Sequence, residues 1–238
     1  MKKILIIGLL LIATRTMATV TIGDISTDFT NSGASNTVAS TAKNHNAGNA
    51  IFVKISSGIV VAQTVSTVTN TAGDTFTHQA TCDRTNSTSR IEWWRVFSTA
   101  GNASDVVTAT WTGNVSFPTM ETYEFAHTGT LSFDVCSVSA SESAGTSFPV
   151  QQFSSAGAGV ILVGAQAIVS EVYTAPSGFT GSGDTSYGSS YRITSAVESN
   201  ITPTTIGNTS SAWAASAISV IEALFPNTGS MSTMGIGK

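Results

Sequence analysis

The chain contains 238 residues, only 10% of them charged, and its formal net charge is −4. An acidic chain without a basic cluster neutralises few phosphates, which argues against nucleic acid and anionic lipid surfaces as partners. With so few charges, solubility must come from Ser, Thr, Asn and Gly, a composition that suits an extracellular β protein.

Residues 1–18 predict a secretory signal peptide. A basic start at Lys2 and Lys3 precedes an apolar run over residues 4–13, and Ala18 offers a small residue for cleavage. The run is shorter than the roughly 20 residues that span a bilayer; the alternatives are an uncleaved anchor or a buried first strand. Cleavage after Ala18 would leave 7 basic and 14 acidic residues, a net charge of −7. We therefore expect a secreted or cell-surface protein with no membrane association after cleavage.

Short β-type runs separated by turn residues follow the signal peptide and predict strands. Residues 31–49 are expected to form a loop with at most one strand, and Gly113-Asn114 is expected to be a turn. The strands predicted in the first half of the chain cover residues 19–30, 50–56, 64–70, 75–80, 90–98 and 105–111.

The second half continues the pattern. Residues 159–167 are apolar on both faces, as in a strand buried on two sides. Residues 212–223 permit a helix, but their alternation favours a strand. The predicted strands cover residues 120–126, 135–140 (an edge strand), 159–167, 191–196, 201–206 and 212–223. Together they predict one all-β domain over residues 19–224, a two-sheet antiparallel β-sandwich, followed by a flexible tail over residues 225–238.

The order of several short motifs resembles a divergent β-sandwich domain of secreted bacterial proteins and bacteriophage structural proteins. The resemblance covers residues 20–224, departs at Ala126-His127 where Ser-Gly is usual, and implies a jelly-roll-like fold with no catalytic residue. The matching motifs are Gly48-Asn49-Ala50-Ile51-Phe52-Val53, Val65-Ser66-Thr67-Val68-Thr69, Gly73-Asp74-Thr75-Phe76-Thr77, Trp93-Trp94 with Ala100-Gly101, Val106-Val107-Thr108-Ala109-Thr110, Tyr123-Glu124-Phe125-Ala126-His127 and Ala212-Trp213.

Motifs of known enzymes are missing from the sequence. It has no Gly-x-Ser-x-Gly elbow, no P-loop and no metal spacing around its histidines, which are His45, His78 and His127. We therefore predict no catalytic residue and no enzyme. The one carboxylate pair that a glycosidase could use is Glu92 with Glu124 on neighbouring strands; the alternative is a structural ion pair with Arg90 or Arg95.

Loop aspartates are candidates for a structural calcium site, since calcium prefers oxygen ligands. The alternative is that each forms a local turn with its own backbone. The candidates are Asp24, Asp28, Asp74, Asp83, Asp105 and Asp184. No other cofactor is predicted.

Cys82 and Cys136 are the two cysteines of the chain. An exported protein could join them in a disulfide. The alternative is two separate buried residues, because sequence separation does not determine their distance.

Aromatic residues provide the strongest indication of ligand binding. Trp93 and Trp94 must face opposite sides of their strand, so one can enter the core and the other can stack on a sugar. The loop over residues 178–191 adds further candidates. The alternative is that both Trp residues are covered and that this loop binds nothing. The predicted ligand-binding residues are Trp94, Asp184, Tyr187 and Tyr191.

Three functions remain open at this point. The first is a surface binding or adhesion module, for carbohydrate or another cell-surface polymer. The second is a structural subunit of a surface filament, envelope layer or virion, formed by self-assembly or with another envelope or virion protein, because sheet edges pair readily with strands of other chains. The third is a glycoside hydrolase.

Overall fold

The computed structural model describes residues 19–29, 34–58, 63–167, 172–181 and 188–223, with side chains omitted for residues 26–29. The predicted signal peptide and the predicted tail lie outside these ranges. Strands are numbered below in chain order.

The first sheet is antiparallel and contains eight strands. They are β1 (Thr21–Phe29), β2 (Ala34–Ala39), β4 (Ala50–Gly58), β5 (Val65–Asn70), β6 (Thr77–His78), β7 (Arg84–Thr85), β8 (Ser89–Val96) and β10 (Val107–Ala126). The main order is β1-β10-β4-β8-β6; β2 and β5 flank the first half of β10, and β7 pairs with β8. A 3-10 turn, Ala80–Cys82, connects β6 and β7.

The second sheet is also antiparallel and contains six strands. They are β11 (Thr130–Pro149), β13 (Gly159–Ala167), β14 (Tyr173–Thr174), β15 (Thr180–Gly181), β16 (Ser189–Thr194) and β18 (Thr204–Ala223). Their order is β11-β18-β13-β16-β15, with β14 on β18. Two small pairs complete the fold: β3 (Lys43–His45) with β9 (Asn102–Asp105), and β12 (Phe153–Ser155) with β17 (Glu198–Ile201).

The two sheets pack face to face, which confirms the predicted all-β sandwich. Every residue of β4 and of β13 is buried, because each strand lies inside its sheet and both of its faces are covered. The core between the sheets contains alternate residues of both, among them Phe52, Ile91, Trp93, Tyr123, Phe125, Val160, Leu162, Ala214, Ile218 and Val220.

Each sheet also carries an apolar layer on its outer face. On the first sheet, β2, β5 and the first half of β10 cover the outward residues of β4, in a cluster that includes Val38, Ile51, Val53, Ile55, Val68, Trp94, Val107 and Trp111. On the second sheet, the chain around β12 and β14 covers the outward residues of β13, in a cluster that includes Phe148, Val150, Phe153, Ile161, Val163, Tyr173 and Trp213. The protein therefore has an outer apolar layer on each sheet in addition to the central core between the sheets.

Several predicted strands are confirmed, and others need correction. Residues 159–167 form β13 as predicted, and residues 212–223 lie in β18, a strand rather than a helix. The predicted turn at Gly113-Asn114 is wrong, because β10 runs through it without a break. Gly113 is needed there for space: a Cβ atom would lie 2.8 Å from Oε1 of Gln63. The strand predicted over residues 75–80 shortens to β6.

A buried ion pair joins the layers at the centre of the sandwich. Lys54 of β4 and Glu121 of β10 have side chains that are 1% and 0% exposed, and Lys54 Nζ lies 2.9 Å from Glu121 Oε2. Lys54 Nζ also donates to the carbonyl oxygen of Ala165 in the second sheet, at 3.3 Å. Gly164 makes room, since a Cβ there would lie 3.0 Å from Lys54 Cδ. The pair therefore connects the two sheets directly.

We predict that Glu121→Leu lowers the free energy of unfolding by about 3–5 kcal/mol, because it leaves the Lys54 ammonium buried without its carboxylate. The double variant Lys54→Met/Glu121→Leu should be markedly more stable than Glu121→Leu alone, since no isolated charge remains. Urea unfolding of the wild type and the three variants (Lys54→Met, Glu121→Leu and both together) measures this coupling. Additive losses in the double variant would show that the pair is not coupled.

Candidate functional site

The densest group of charged side chains lies at the β6 end of the first sheet. His78 belongs to β6, Asp83 follows the 3-10 turn, and Arg90 and Glu92 belong to β8. The antiparallel register places His78 opposite Trp94, which brings β6 beside the outward-facing Glu92. We call His78, Asp83, Arg90 and Glu92 the His78 cluster.

Glu92 and Asp83 both face His78. Nε2 of His78 lies 2.9 Å from Oδ1 of Asp83 and 3.4 Å from Oε2 of Glu92. Arg90 contacts the other oxygen of each carboxylate, with Nε 2.5 Å from Glu92 Oε1 and Nη2 3.4 Å from Asp83 Oδ2. The backbone N–H of Val65 also donates to Glu92 Oε1, at 3.0 Å. The cluster is therefore a closed network of two acidic and two basic groups.

The hydrogen bond that His78 donates to Asp83 raises the pKa of His78 above its ordinary value. Burial of the ring acts in the opposite direction, while the negative charges of Asp83 and Glu92 add to the increase. The carboxylates thus favour a positive charge at the position of Nε2.

Trp94 packs against this network. Its ring is 8% exposed and stacks on His78, with a centroid distance of 4.6 Å and an interplanar angle of 11°. Trp93 points between the sheets, where Nε1 donates to Ser216 Oγ at 3.1 Å. The prediction that the two rings face opposite sides is confirmed, but the outward Trp94 lies under β6 and has one face covered by imidazole. A sugar-stacking platform needs an exposed ring face, and Trp94 as placed does not provide one.

The other predicted ligand-binding residues do not join Trp94. Tyr191 lies on β16, and its half-buried ring packs edge to face against Tyr123 and Phe125, with centroids 6.2 and 5.9 Å away. Asp184 and Tyr187 lie outside the described residues. The structure therefore places Trp94 and Tyr191 on different sheets and in different apolar clusters.

The predicted carboxylate pair of Glu92 and Glu124 is wrong, because β4 lies between β8 and β10. Glu92 pairs in register with Ile55 and Glu124 with Ile51, so their Cα atoms are about 16 Å apart at ordinary sheet spacings. A glycosidase needs its carboxyl groups within about 10 Å. The structural alternative holds for Glu92, which pairs with Arg90. Glu124 Oε1 accepts hydrogen bonds from Asn46 N and Asn49 Nδ2, both at 2.7 Å.

Cys82 and Cys136 are free thiols in the structure, so the disulfide that the sequence allowed is not formed there. Both sulfur atoms contact Thr81 Oγ1, at 3.8 and 3.7 Å. Burial, reinforced by the neighbouring Cys136 thiol, raises the pKa of Cys82. A thiol with a raised pKa forms little thiolate, which slows thiol–disulfide exchange.

Two of the predicted calcium ligands, Asp105 and Asp74, accept hydrogen bonds from residues of loops and strand ends in the structure. Asp105 is fully buried and accepts hydrogen bonds from His45 Nδ1 (2.9 Å), Asn70 Nδ2 (2.7 Å), Thr71 Oγ1 (2.8 Å) and Ala72 N (3.0 Å). Asp74 accepts from Asn70 Nδ2 and Ala100 N, both at 2.8 Å, and from Thr99 Oγ1. Donor groups therefore surround these carboxylates as placed, and a cation would have to displace them.

The remaining calcium candidates are dispersed. Asp24 lies 3.6 Å from Lys43 Nζ in a half-exposed ion pair. Asp83 belongs to the His78 cluster. Asp28 has no described side chain, and Asp184 lies outside the described residues. No group of three or more of these aspartates converges among the described side chains.

Sequence reasoning missed the His78 cluster because its members were assigned separately. His78 was named only as a histidine without metal spacing, Asp83 as a calcium candidate and Glu92 as a glycosidase candidate. Only the β6–β8 register brings the three together. One signal was available in the sequence: four acidic or basic residues follow His78 closely in a chain that is otherwise poor in charge, namely Asp83, Arg84, Arg90 and Glu92.

Comparisons with known proteins add no relative. No protein-family model, curated protein or solved structure matches the chain. Among the residues that the structure describes, no helix has the length and hydropathy of a membrane span.

We predict that Asp105→Asn lowers the free energy of unfolding by about 1–3 kcal/mol at neutral pH, because buried donors lose a charged acceptor. Burial alone would raise the pKa of Asp105, but the hydrogen bonds from His45, Thr71, Ala72 and Asn70 outweigh it and lower the pKa. The stabilisation is therefore complete above the unfolded-state pKa of about 3.9 and is lost as the pH falls through the lower folded-state value.

Urea unfolding of wild type and Asp105→Asn at neutral pH and at steps below about pH 4 tests this dependence. The difference between the two proteins should narrow with acidification. A difference that stays constant down to the acid limit would contradict the assigned role of the carboxylate.

Proposed function

We propose that this chain is an exported, non-catalytic β-sandwich that serves as a structural subunit and assembles with copies of itself through the edge strand β11. The observation that supports the proposal is the length and composition of that edge. β11 contains 20 residues and, among the described strands, pairs with β18 alone.

Alternate backbone groups of β11 point away from the sheet. Glu222 N donates to Ala158 O next to β13, so even-numbered residues of β18 direct their backbone groups toward β13 and odd-numbered residues toward β11. Odd-numbered Ala217 and Ala215 pair with Ser137 and Ser139. The backbone N–H and C=O groups of Cys136, Val138 and Ala140 therefore face outward, where another strand can bond to them.

The usual protection against such pairing is sparse on β11. Natural edge strands avoid association with Lys, Pro, bulges or short length. β11 has no Lys or Arg, and its one Pro is the last residue, Pro149. Its register shifts lie at 133/135, 141/145 and 145/147, and the first two leave the uncharged stretch of residues 135–141 regular between them.

Residues 81–87 contact β11 near the two ends of this stretch, and Ser137 Oγ within the stretch donates to Gln151 O. Cys136 Sγ contacts Thr81 Oγ1, Asn86 Nδ2 donates to Ser141 O at 3.0 Å, and Ser87 contacts Glu142. The backbone around Val138 lies between these contacts. A second copy of β11, antiparallel to the first, would match it in length and lack of charge.

The resemblance to a domain of secreted and phage structural proteins agrees with this proposal. The low charge also agrees, because copies of a weakly charged chain repel one another little. Export through the predicted signal peptide favours a surface filament or envelope layer over a virion assembled inside the cell.

We predict that the purified chain self-associates and that Ser139→Lys weakens the association at least about tenfold, which is about 1.4 kcal/mol. Ser139 is half-buried on β11, and its own backbone groups face β18, so the change spares the ladder while placing a charge beside the open edge. Sedimentation velocity over a concentration series measures the effect.

The matched control is Ser177→Lys, which adds the same charge at an exposed turn before β15. It should associate like the wild type. A wild type that stays monomeric at all concentrations, or equal weakening by both lysines, would overturn the proposed role of β11.

Carbohydrate binding is a second candidate, supported by the pairing of the strands that flank the predicted ligands Asp184 and Tyr187. β15 and β16 pair through Thr180–Tyr191 and Gly181–Ser190, and residues 182–187 separate these pairs in the sequence. Arg192 lies over the Phe179 ring at 4.6 Å from its centroid and steadies the base of this hairpin. Asp184 and Tyr187 lie in the sequence between these two paired strands, and a carboxylate and a tyrosine ring are groups that can contact a sugar.

We predict that, if this loop binds carbohydrate, the chain is retained on at least one immobilised polysaccharide and Tyr187→Ala removes the retention. Trp94→Phe is the comparison, because the buried Trp94 ring should not contact a glycan. Absence of retention on a broad panel, with calcium and with chelator, would reject the carbohydrate function and leave assembly as the proposal.

A further inference from the structure

We propose that His78, Asp83 and Glu92 bind a divalent transition-metal ion, with zinc favoured over calcium and magnesium. This inference is independent of assembly through β11, because it concerns a different sheet and different residues. It assigns to the His78 cluster a ligand that no sequence motif indicated.

The ligand atoms have the spacing that a small metal ion requires. One atom from each of His78, Asp83 and Glu92 lies within 4.8 Å of the others. His78 Nε2 lies 2.9 Å from Asp83 Oδ1 and 3.4 Å from Glu92 Oε2. With zinc–ligand bonds of 2.0–2.2 Å, neighbouring ligand atoms are about 3.4 Å apart. Small side-chain movements would therefore let a metal ion replace the proton in the hydrogen bond between His78 and Asp83.

The surrounding groups hold these atoms in position. Arg90 Nε and Val65 N bond to Glu92 Oε1, and Arg90 Nη2 contacts Asp83 Oδ2. Each carboxylate therefore has one oxygen engaged by these donors and the other turned toward His78. Glu92 Oε2 also accepts a long hydrogen bond from Trp94 Nε1, at 3.5 Å. Stacking on Trp94 sets the plane of the imidazole. Such supporting bonds orient metal ligands and strengthen binding.

The charge balance favours a divalent cation. With neutral His78, the two carboxylates and Arg90 leave the cluster at a net charge of −1. An imidazole nitrogen selects zinc, nickel, copper or cobalt, whereas calcium and magnesium prefer oxygen ligands alone. The side chains of His78 and Asp83 are 28% and 17% exposed, so water can reach a fourth coordination position.

The ion would fasten three separate elements. His78 comes from β6, Asp83 from the end of the 3-10 turn, and Glu92 from β8. β6 and β7 contain two residues each, so their own ladder bonds are few. Metal binding would stabilise this short edge of the first sheet.

Isothermal titration calorimetry of the full chain, freed of metal by chelator, with zinc chloride and with calcium chloride tests the proposal. We expect one zinc per chain, calcium at least about tenfold weaker, and zinc affinity reduced at least about tenfold by either His78→Gln or Asp83→Asn. Asp83 is partly exposed, so Asp83→Asn should stay folded if His78→Gln does not. A rise in Tm with zinc should follow the same pattern.

The matched controls are His127→Gln and Asp134→Asn, which make the same changes elsewhere. The His127 nitrogens contact the carbonyl oxygens of Gly129 and Phe97, and Asp134 accepts from Ala156 N and Ser219 Oγ. Both controls should bind zinc like the wild type. No stoichiometric zinc binding by the wild type, calcium binding as tight as zinc, or unchanged zinc binding by folded Asp83→Asn would each overturn the proposal.

Discussion

Strand β4 is buried along its whole length on both faces, and the layering of the protein depends on this. Its inward residues, such as Phe52 and Lys54, meet the second sheet, whereas its outward residues, Ile51, Val53 and Ile55, need cover from the same sheet. β10 provides that cover because it is long. Its second half pairs with β4, and its first half carries β2 and β5 over the outer face. Both faces of β4 can thus be buried only because β10 continues past β4 and carries β2 and β5.

The same layering explains where the few charged groups lie. Lys54 and Glu121 occupy the inner layer, where they are bonded to each other and to the second sheet. Glu92 occupies the outer layer, where Val65 and Arg90 supply its hydrogen bonds. Buried charges are tolerated only with such partners. Several of the few charged residues therefore lie in two networks, the Lys54–Glu121 pair and the His78 cluster. Long surface strands such as β11 carry few charged residues.

Much of the fold was predictable because the pattern of apolar and polar residues along a strand indicates which of its faces are buried. The uninterrupted apolar run of β13 indicated a strand covered on both sides, and the adjacent Trp93 and Trp94 had to separate. Gly113 misled because glycine often marks a turn, whereas here it admits the Gln63 side chain beside a continuous strand. The free thiols were not predictable either, since distance between cysteines is a property of the folded chain.

The candidate site was less accessible to sequence reasoning than the fold. Glu92 and Glu124 were paired because both lie on strands near each other in the chain, but the order β10-β4-β8 separates them. Glu92 pairs with Arg90 and also faces His78. His78 is on a strand of two residues, which is too short for periodicity to reveal. Strand order and register determine which polar side chains meet, and neither follows from composition.

Backbone amide exchange at β11 tests the central claim, assembly through its open edge, most directly. In the monomer, the amides of Ser137 and Ser139 face β18 and should be protected, whereas those of Cys136, Val138 and Ala140 face outward and should exchange fast. Residue-resolved hydrogen–deuterium exchange at rising protein concentration should show the outward amides becoming protected as well. Outward amides that exchange equally fast at every concentration, while the protein associates, would show that copies meet elsewhere and would contradict the account.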